Sequence, residues 1–387
     1  MKKRVKSLFL AALSAVLALS ILPGCTAKTD DKPPEGPSQS TPANPDLGIR
    51  YAERFKIEYL ADDVKVVTDS QDRTFLLVPK GQAIPAGRES LPVIRTPIER
   101  VFYCSTTHVG LLGALGDDTL YDSIVALSTE ESRWTTPQII ERFKSGQITY
   151  IPTDNWGVAD VETLVTLDPD AIFMVANPDL GRLTQYEDVG LTYLAVGEWL
   201  EKTNPASMEW IKFFAAFYNL DDLANTVFDA KLARMAELAT MAESIPDADR
   251  PLVAYCMVWD GTVYTQSSDS TTAKEVYRAG GIYYLTDMTS EGSVVIGMEE
   301  FFDRARDADI IIYSGLQIYT PDKAALLEID PLFAEMKAFK NDQVYVYASD
   351  YYMRNSAKDQ VFEDMVAIFN PQLLPDHQQS LIIKLPD

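Results

Sequence analysis

The stretch from Asp221 to Ser244, DDLANTVFDAKLARMAELATMAES, decides how the rest of the chain is read. It holds neither Pro nor Gly. Leu223, Val227, Phe228, Leu232, Met235, Leu238 and Met241 recur at helical spacing. At 1.5 Å per residue the stretch predicts one helix of roughly 36 Å, about the diameter of a small domain. A shorter helix over Pro205–Tyr218 precedes it, with Pro205 in its first turn, where the missing N–H costs nothing.

On either side, apolar strands alternate with helical stretches. Upstream strands fall at 101–104, 123–127, 148–151, 171–175 and 192–196, with helices near 107–116, 137–144, 160–168 and 181–189. Downstream strands fall at 252–258, 262–265, 309–313 and 343–347, with helices at 272–279, 297–307, 331–339 and 356–369. Alternation of this kind implies an α/β sheet in each half. The fold class expected is therefore α/β, with two α/β lobes joined by a long rigid helix. Residues 55–80 read instead as three short strands with acidic turns between them, a small N-terminal β appendage.

The chain opens with Lys2, Lys3, Arg4 and Lys6, followed by a 15-residue apolar run from Leu8 to Leu22. Such a run is too short to span a bilayer comfortably and reads as a secretory signal. It ends in Leu22-Pro23-Gly24-Cys25, similar to the lipobox of bacterial lipoproteins, which is cleaved before a Cys that then carries lipid. Two acyl chains make a stable anchor. Thr26–Leu47 holds five prolines among polar residues and fits an extended tether. The expected organisation is signal peptide 1–24, lipidated Cys25 and linker 25–48, appendage 49–91, N-terminal lobe 92–204, connecting helices 205–247 and C-terminal lobe 248–387.

The formal charge is −23, and losing the four basic residues of the signal leaves −27. That balance excludes nucleic acid, whose binding rests on Lys and Arg. It also leaves membrane attachment to the lipid alone. Cys104 and Cys256 sit in apolar runs of different lobes and read as buried small hydrophobes. With only His108 and His377, no multi-His metal site can be built. Gly110, Gly113 and Gly116 do not match a dinucleotide or P-loop motif, and no Gly-x-Ser-x-Gly elbow is present. The chain is read as a non-enzyme without a cofactor.

In open α/β sheets ligands sit beyond the carboxyl ends of strands. The loops there carry Thr107-His108, Arg133-Trp134, Asn155-Trp156, Trp259 with Tyr264, and Tyr351-Tyr352-Met353-Arg354. Large flat side chains suit a bulky ring-bearing ligand, and Arg133 and Arg354 suit an anionic one. The ligand-binding candidates are Thr107, His108, Arg133, Trp134, Trp156, Trp259, Tyr264, Tyr352 and Arg354.

Several segments, taken in order, resemble the substrate-binding lipoproteins of ABC importers, in the group that handles ferric siderophores, haem and cobalamin. They are Arg100–Gly116, Val161–Phe173, Val189–Tyr193, the helices at 205–245, and Asn341–Arg354. The resemblance implies a monomer that binds a metal chelate in the cleft between its lobes, a ferric siderophore foremost, with cobalamin or haem as alternatives. A tethered sensor or adhesin and a hydrolase are the other classes weighed. It implies little closure, because a helical strut resists hinge motion. It also implies docking of one surface Glu per lobe on Arg residues of the permease, and Glu162 and Glu300 stand at the matching positions. Glu162 to Ile172 and Glu300 to Ile310 repeat the same ten-residue spacing from helix to strand.

Overall fold

A computed structural model describes residues 48–154, 157–176, 183–290, 293–354 and 356–387. The signal, Cys25, the linker up to residue 47, Asn155 and Trp156 lie outside the described residues. The first sheet consists of β1 (Lys56–Tyr59), β2 (Lys65–Thr68), β3 (Thr74–Pro79) and β4 (Val93–Thr96) in sequential order. The first three strands are antiparallel and β4 runs parallel to β3. Strand β4 carries this sheet past residue 91, where the sequence reading ended it. The sheet is no free appendage. Phe55, Val67, Phe75, Leu77 and Ile94 share one core with the neighbouring lobe.

The N-terminal lobe follows as β5 (Val101–Tyr103), α1 (Thr106–Gly113), β6 (Ile124–Leu127), α2 (Pro137–Lys144), β7 (Thr149–Tyr150), α3 (Val161–Leu167), β8 (Ala171–Val175), α4 (Thr184–Asp188) and β9 (Tyr193–Val196). Its strands are ordered β7-β6-β5-β8-β9 and all parallel. Helices cover both faces of such a sheet, so β5, β6, β8 and β9 are continuous apolar runs, while the edge strand β7 is exposed. Side-chain caps start two of these helices. Ser105 accepts from Thr107 N at α1, and Asp160 accepts from Thr163 N at α3.

Two helices then connect the lobes, α5 (Asn204–Ala216) and α6 (Asp221–Glu243). Helix α5 is buried at every position from Ala206 to Ala216, the pattern of a core helix. Two of those positions are ionic. Lys212 Nζ lies 2.9 Å from Glu209 Oε1 with both side chains sequestered. Glu209 also accepts from the backbone N–H groups of Arg50, Tyr51 and Ala52, and Lys212 donates to Gly48 O. The pair therefore clamps the chain where it enters the folded domain. Helix α6 is one unbroken helix of 23 residues. Its first turns, through Leu223, Ala224 and Val227, pack in the N-terminal core, and Phe228, Met235 and Leu238 pack in the C-terminal core.

The C-terminal lobe comprises β10 (Leu252–Trp259), β11 (Thr262–Gln266), α7 (Thr271–Arg278), β12 (Ile282–Tyr283), β13 (Ser293–Gly297), α8 (Met298–Ala305), β14 (Ile310–Leu316), α9 (Lys323–Ile329), α10 (Lys337–Lys340), β15 (Val344–Tyr347), α11 (Lys358–Phe369) and β16 (Ile382–Lys384). The order is β13-β11-β10-β14-β15-β16, with β12 beside the start of β10. The central pairs β10-β14 and β14-β15 are parallel and the flanking pairs antiparallel. The buried Asp364 of α11 pins β16 by accepting from the N–H groups of Leu381 and Ile382, and His377 Nε2 lies 2.6 Å away from it. Cys104 and Cys256 are free and buried, and burial pushes both thiols well up. The α/β class, the two lobes and the long helix are those expected from the sequence.

His108 sits in α1 wholly inside the N-terminal lobe, 5.9 Å from the Phe214 ring. Neither ring nitrogen has a hydrogen-bond partner among the described residues. Burial pushes its pKa down to about 3. The folded protein thus binds fewer protons than the unfolded chain from about pH 6.5 down to about pH 3. Stability contributed by His108 is full above the upper limit and is lost as pH falls through this window. In urea titrations at about pH 4.5, His108→Leu is expected to recover roughly 2–3 kcal/mol of the acid destabilisation of the native chain. An identical acid slope in both proteins would contradict the burial of a neutral imidazole. Glu209→Ala strands the Lys212 ammonium and is expected to cost about 3–5 kcal/mol in the same assay; a loss within error of zero would show that the clamp carries no stability.

Candidate functional site

A cavity of about 620 Å³ opens between the lobes, within the range of small-molecule sites. The N-terminal lobe contributes Thr107 from the start of α1 and Glu198 and Trp199 from just beyond β9. Asn204 and Ser207 come from α5. The C-terminal lobe contributes Tyr255, Gln266, Glu275, Tyr347, Tyr351, Tyr352 and Lys358. Glu198 follows Gly197, where an added Cβ would lie 2.7 Å from Ser70 Cβ. Glycine lets the first sheet close against the end of β9 at this corner.

Tyrosines form one wall. The Tyr347 and Tyr351 rings stack with centroids 3.8 Å apart and planes 4° from parallel. Tyr352 meets Tyr351 edge-on at 5.5 Å. The hydroxyls of Tyr255 and Tyr347 hydrogen-bond to each other, and burial holds both well above the usual phenol range. Lys358 Nζ lies 5.4 Å from the Tyr351 ring centroid. On the opposite side Thr107 Oγ1 donates to Glu198 Oε1 at 2.7 Å. Glu198 is 3% exposed, and its Oε2 has no hydrogen-bond partner among the described residues. Burial raises the Glu198 carboxyl above the ordinary carboxylate range, against the hydrogen bond from Thr107, the backbone N–H groups of Glu198 and Trp199 and the charge of Lys358.

Of the residues singled out from the sequence, Thr107 and Tyr352 line this cavity. The six others that the structure describes are elsewhere. His108 is in the core. Trp134 is buried in the N-terminal core, its Nε1 donating to Thr129 O. Arg133 is exposed, bonded to Glu130 and reaching across the lobes to the Tyr319 hydroxyl at 3.3 Å. Arg354 turns to Ser380 O and Gln360. Trp259 and Tyr264 stand exposed on the C-terminal sheet and outside the cavity. Trp156 lies outside the described residues. Ser356 Oγ donating to Gly110 O, like the Arg133–Tyr319 pair, joins the lobes directly.

Glu198 and Trp199 obey the same carboxyl-end rule as the loops considered, since they directly follow a strand. Tyr255 and Tyr347 lie within strands, and only the packing of the sheet shows that they reach the cavity. Glu162 and Glu300 are exposed in the first turns of α3 and α8, each ahead of a strand beside the centre of its sheet. Glu300 accepts from Arg304 at 3.0 Å. Among the described residues, no three His, Cys, Asp or Glu side chains gather as a metal site, and no helix is long and apolar enough to cross a membrane.

Relatives carry this geometry toward a family. An uncharacterized lipoprotein of Methanocaldococcus jannaschii is 26% identical over 333 residues, covering 83% of this chain and 78% of its own. A periplasmic solute binding protein from Veillonella parvula superposes with a TM-score of 0.57 at 17% identity, over 81% of this chain and 88% of the other. CeuE of Helicobacter pylori, determined with Ni(II) bound, superposes with a TM-score of 0.53 at 19% identity, over 74% and 88%. At these identities the two structures bear on the fold alone. The periplasmic binding protein family itself matches residues 103–351, from the first strand of one lobe to the tyrosines of the other. With two α/β lobes, a helical strut and a cavity between, this chain belongs to the periplasmic binding protein family, the extracytoplasmic, non-enzymatic solute receptors of ABC importers.

Proposed function

We propose that this protein is a lipid-anchored receptor that carries an organic metal chelate, of the ferric siderophore class, to its permease. The observation that carries the reading is the tyrosine wall of the interlobe cavity, formed by Tyr347, Tyr351 and Tyr352. Flat aromatic faces bury a large, ring-bearing solute at little entropy cost. The described residues gather no cluster of metal ligands, so a metal would enter inside its carrier molecule. The structure from Helicobacter pylori, described with Ni(II) bound, is a metal-associated example on this fold. The lipobox at Cys25 and the lipoprotein name of the Methanocaldococcus relative support the anchor. Glu162 and Glu300 are the proposed permease contacts, one charge per lobe, each favoured by its helix N-terminus.

Native mass spectrometry of the protein purified from its host is expected to show a bound mass that carries a metal isotope pattern. Tyr352→Ala is expected to weaken binding of that solute at least tenfold, about 1.4 kcal/mol, with an unchanged melting curve. Equal affinity would move the site away from this wall. The double variant Glu162→Ala, Glu300→Ala is expected to abolish uptake while solution affinity stays as it was; normal uptake would rule out those two contacts.

A further inference from the structure

The charge lining the cavity points to the kind of chelate it accepts, an inference that rests on the receptor reading above. Its charged lining groups are Glu198, Glu201, Glu275 and Lys358, three acids against one base. Two of the acids are already engaged. Glu201 accepts from the backbone N–H groups of Glu53 and Arg54 and from Trp210 Nε1. Glu275 is held by Arg278 at 2.8 Å. Glu198 is different, because it is almost wholly buried and only Oε1 is hydrogen-bonded. A buried carboxylate oxygen without a donor is costly, and a ligand that brings one relieves that cost.

The aromatic wall agrees with this. The Tyr351 ring already has an ammonium near its face, that of Lys358. The half-exposed Trp199 and Tyr352 present further ring surface to the cavity. A carboxylate opposite aromatic faces is an arrangement suited to a cation. A polyanion would meet Glu198 and Glu201 beside a single lysine, Glu275 being already paired with Arg278, while the two arginines expected to receive it are turned to other partners.

We propose that the cavity selects chelates that present a protonated amine to Glu198 and discriminates against polyanionic ones. A matched pair of probes tests this. Ferrioxamine B is a ferric trihydroxamate with a pendant ammonium, and its N-acetyl derivative is the same chelate without that charge. In tryptophan-fluorescence titrations of the full chain, the amine form is expected to bind at least tenfold more tightly. Glu198→Gln is expected to bind the two forms alike. Lys358→Met, which removes the competing cation, is expected to widen the preference, and it supplies the readout if the Glu198 variant does not fold. Equal binding of the pair by the native protein, or a preference for the acetylated form or for a polyanionic ferric tricatecholate, would overturn the charge rule and leave the receptor standing. Binding of none of these chelates would remove the chelate-receptor reading, and this inference with it.

Discussion

Helix α6 is buried in two cores at once, and the geometry of the interlobe cavity depends on that. Its first turns are packed with α5 and the N-terminal sheet, and the remainder lies against the C-terminal sheet. Lys231 and Arg234 tie it further to α11 through Asp359 and Glu363. The buried Lys65 fixes its start by pairing with Asp221 at 2.9 Å and donating to Ala216 O and Asn219 Oδ1. A rod held this way at both ends couples the lobes as a stiff brace. Rotation of one lobe against the other would have to open a packed core, whereas a flexible crossover could bend at little cost. Small adjustments of the cavity walls are the motion this scaffold allows.

The cavity itself follows from strand direction. The parallel strands of both sheets end toward the gap between the lobes, so the residues that follow β5, β9 and β15 meet there. Chemistry is divided between the two sides. One lobe presents a buried carboxylate that accepts from a threonine, and the other a stack of tyrosines with a lysine beside it. The repeated helix-to-strand spacing behind Glu162 and Glu300 places one exposed carboxylate in each lobe, in an early helical turn ahead of β8 and β14. A partner that touches both would sense how the lobes sit relative to one another.

Much of this architecture was legible in the sequence, because long apolar periods are strong signals. Helix α6 and the central strands β8, β10, β14 and β15 stand within a residue or so of where the pattern puts them, apart from the end of β14. The elements that escaped are short or lie at sheet edges. Strands β4, β12, β13 and β16 have few consecutive apolar residues, and their pairing is set by neighbours distant in the chain. The expected helix over 331–339 is divided at Met336, whose backbone is extended. The site was read less well, for a definite reason. Loop position predicts that a residue is near the strand ends, not which way its side chain turns. Trp134 and His108 turned inward to the core, and Arg354 turned to the C-terminal segment. Tyr255 and Tyr347 were hidden by the opposite effect, being strand residues that pattern alone assigns to packing.

Hydrogen–deuterium exchange with and without bound ferrioxamine B tests the central claim most directly, because it reports each lobe and the brace together. The account predicts new protection in the turns around Thr107, Glu198–Asn204 and Tyr351–Lys358, with exchange in α6 low and unchanged. Protection confined to the exposed Trp259–Tyr264 edge, or an α6 that exchanges freely until ligand arrives, would contradict it.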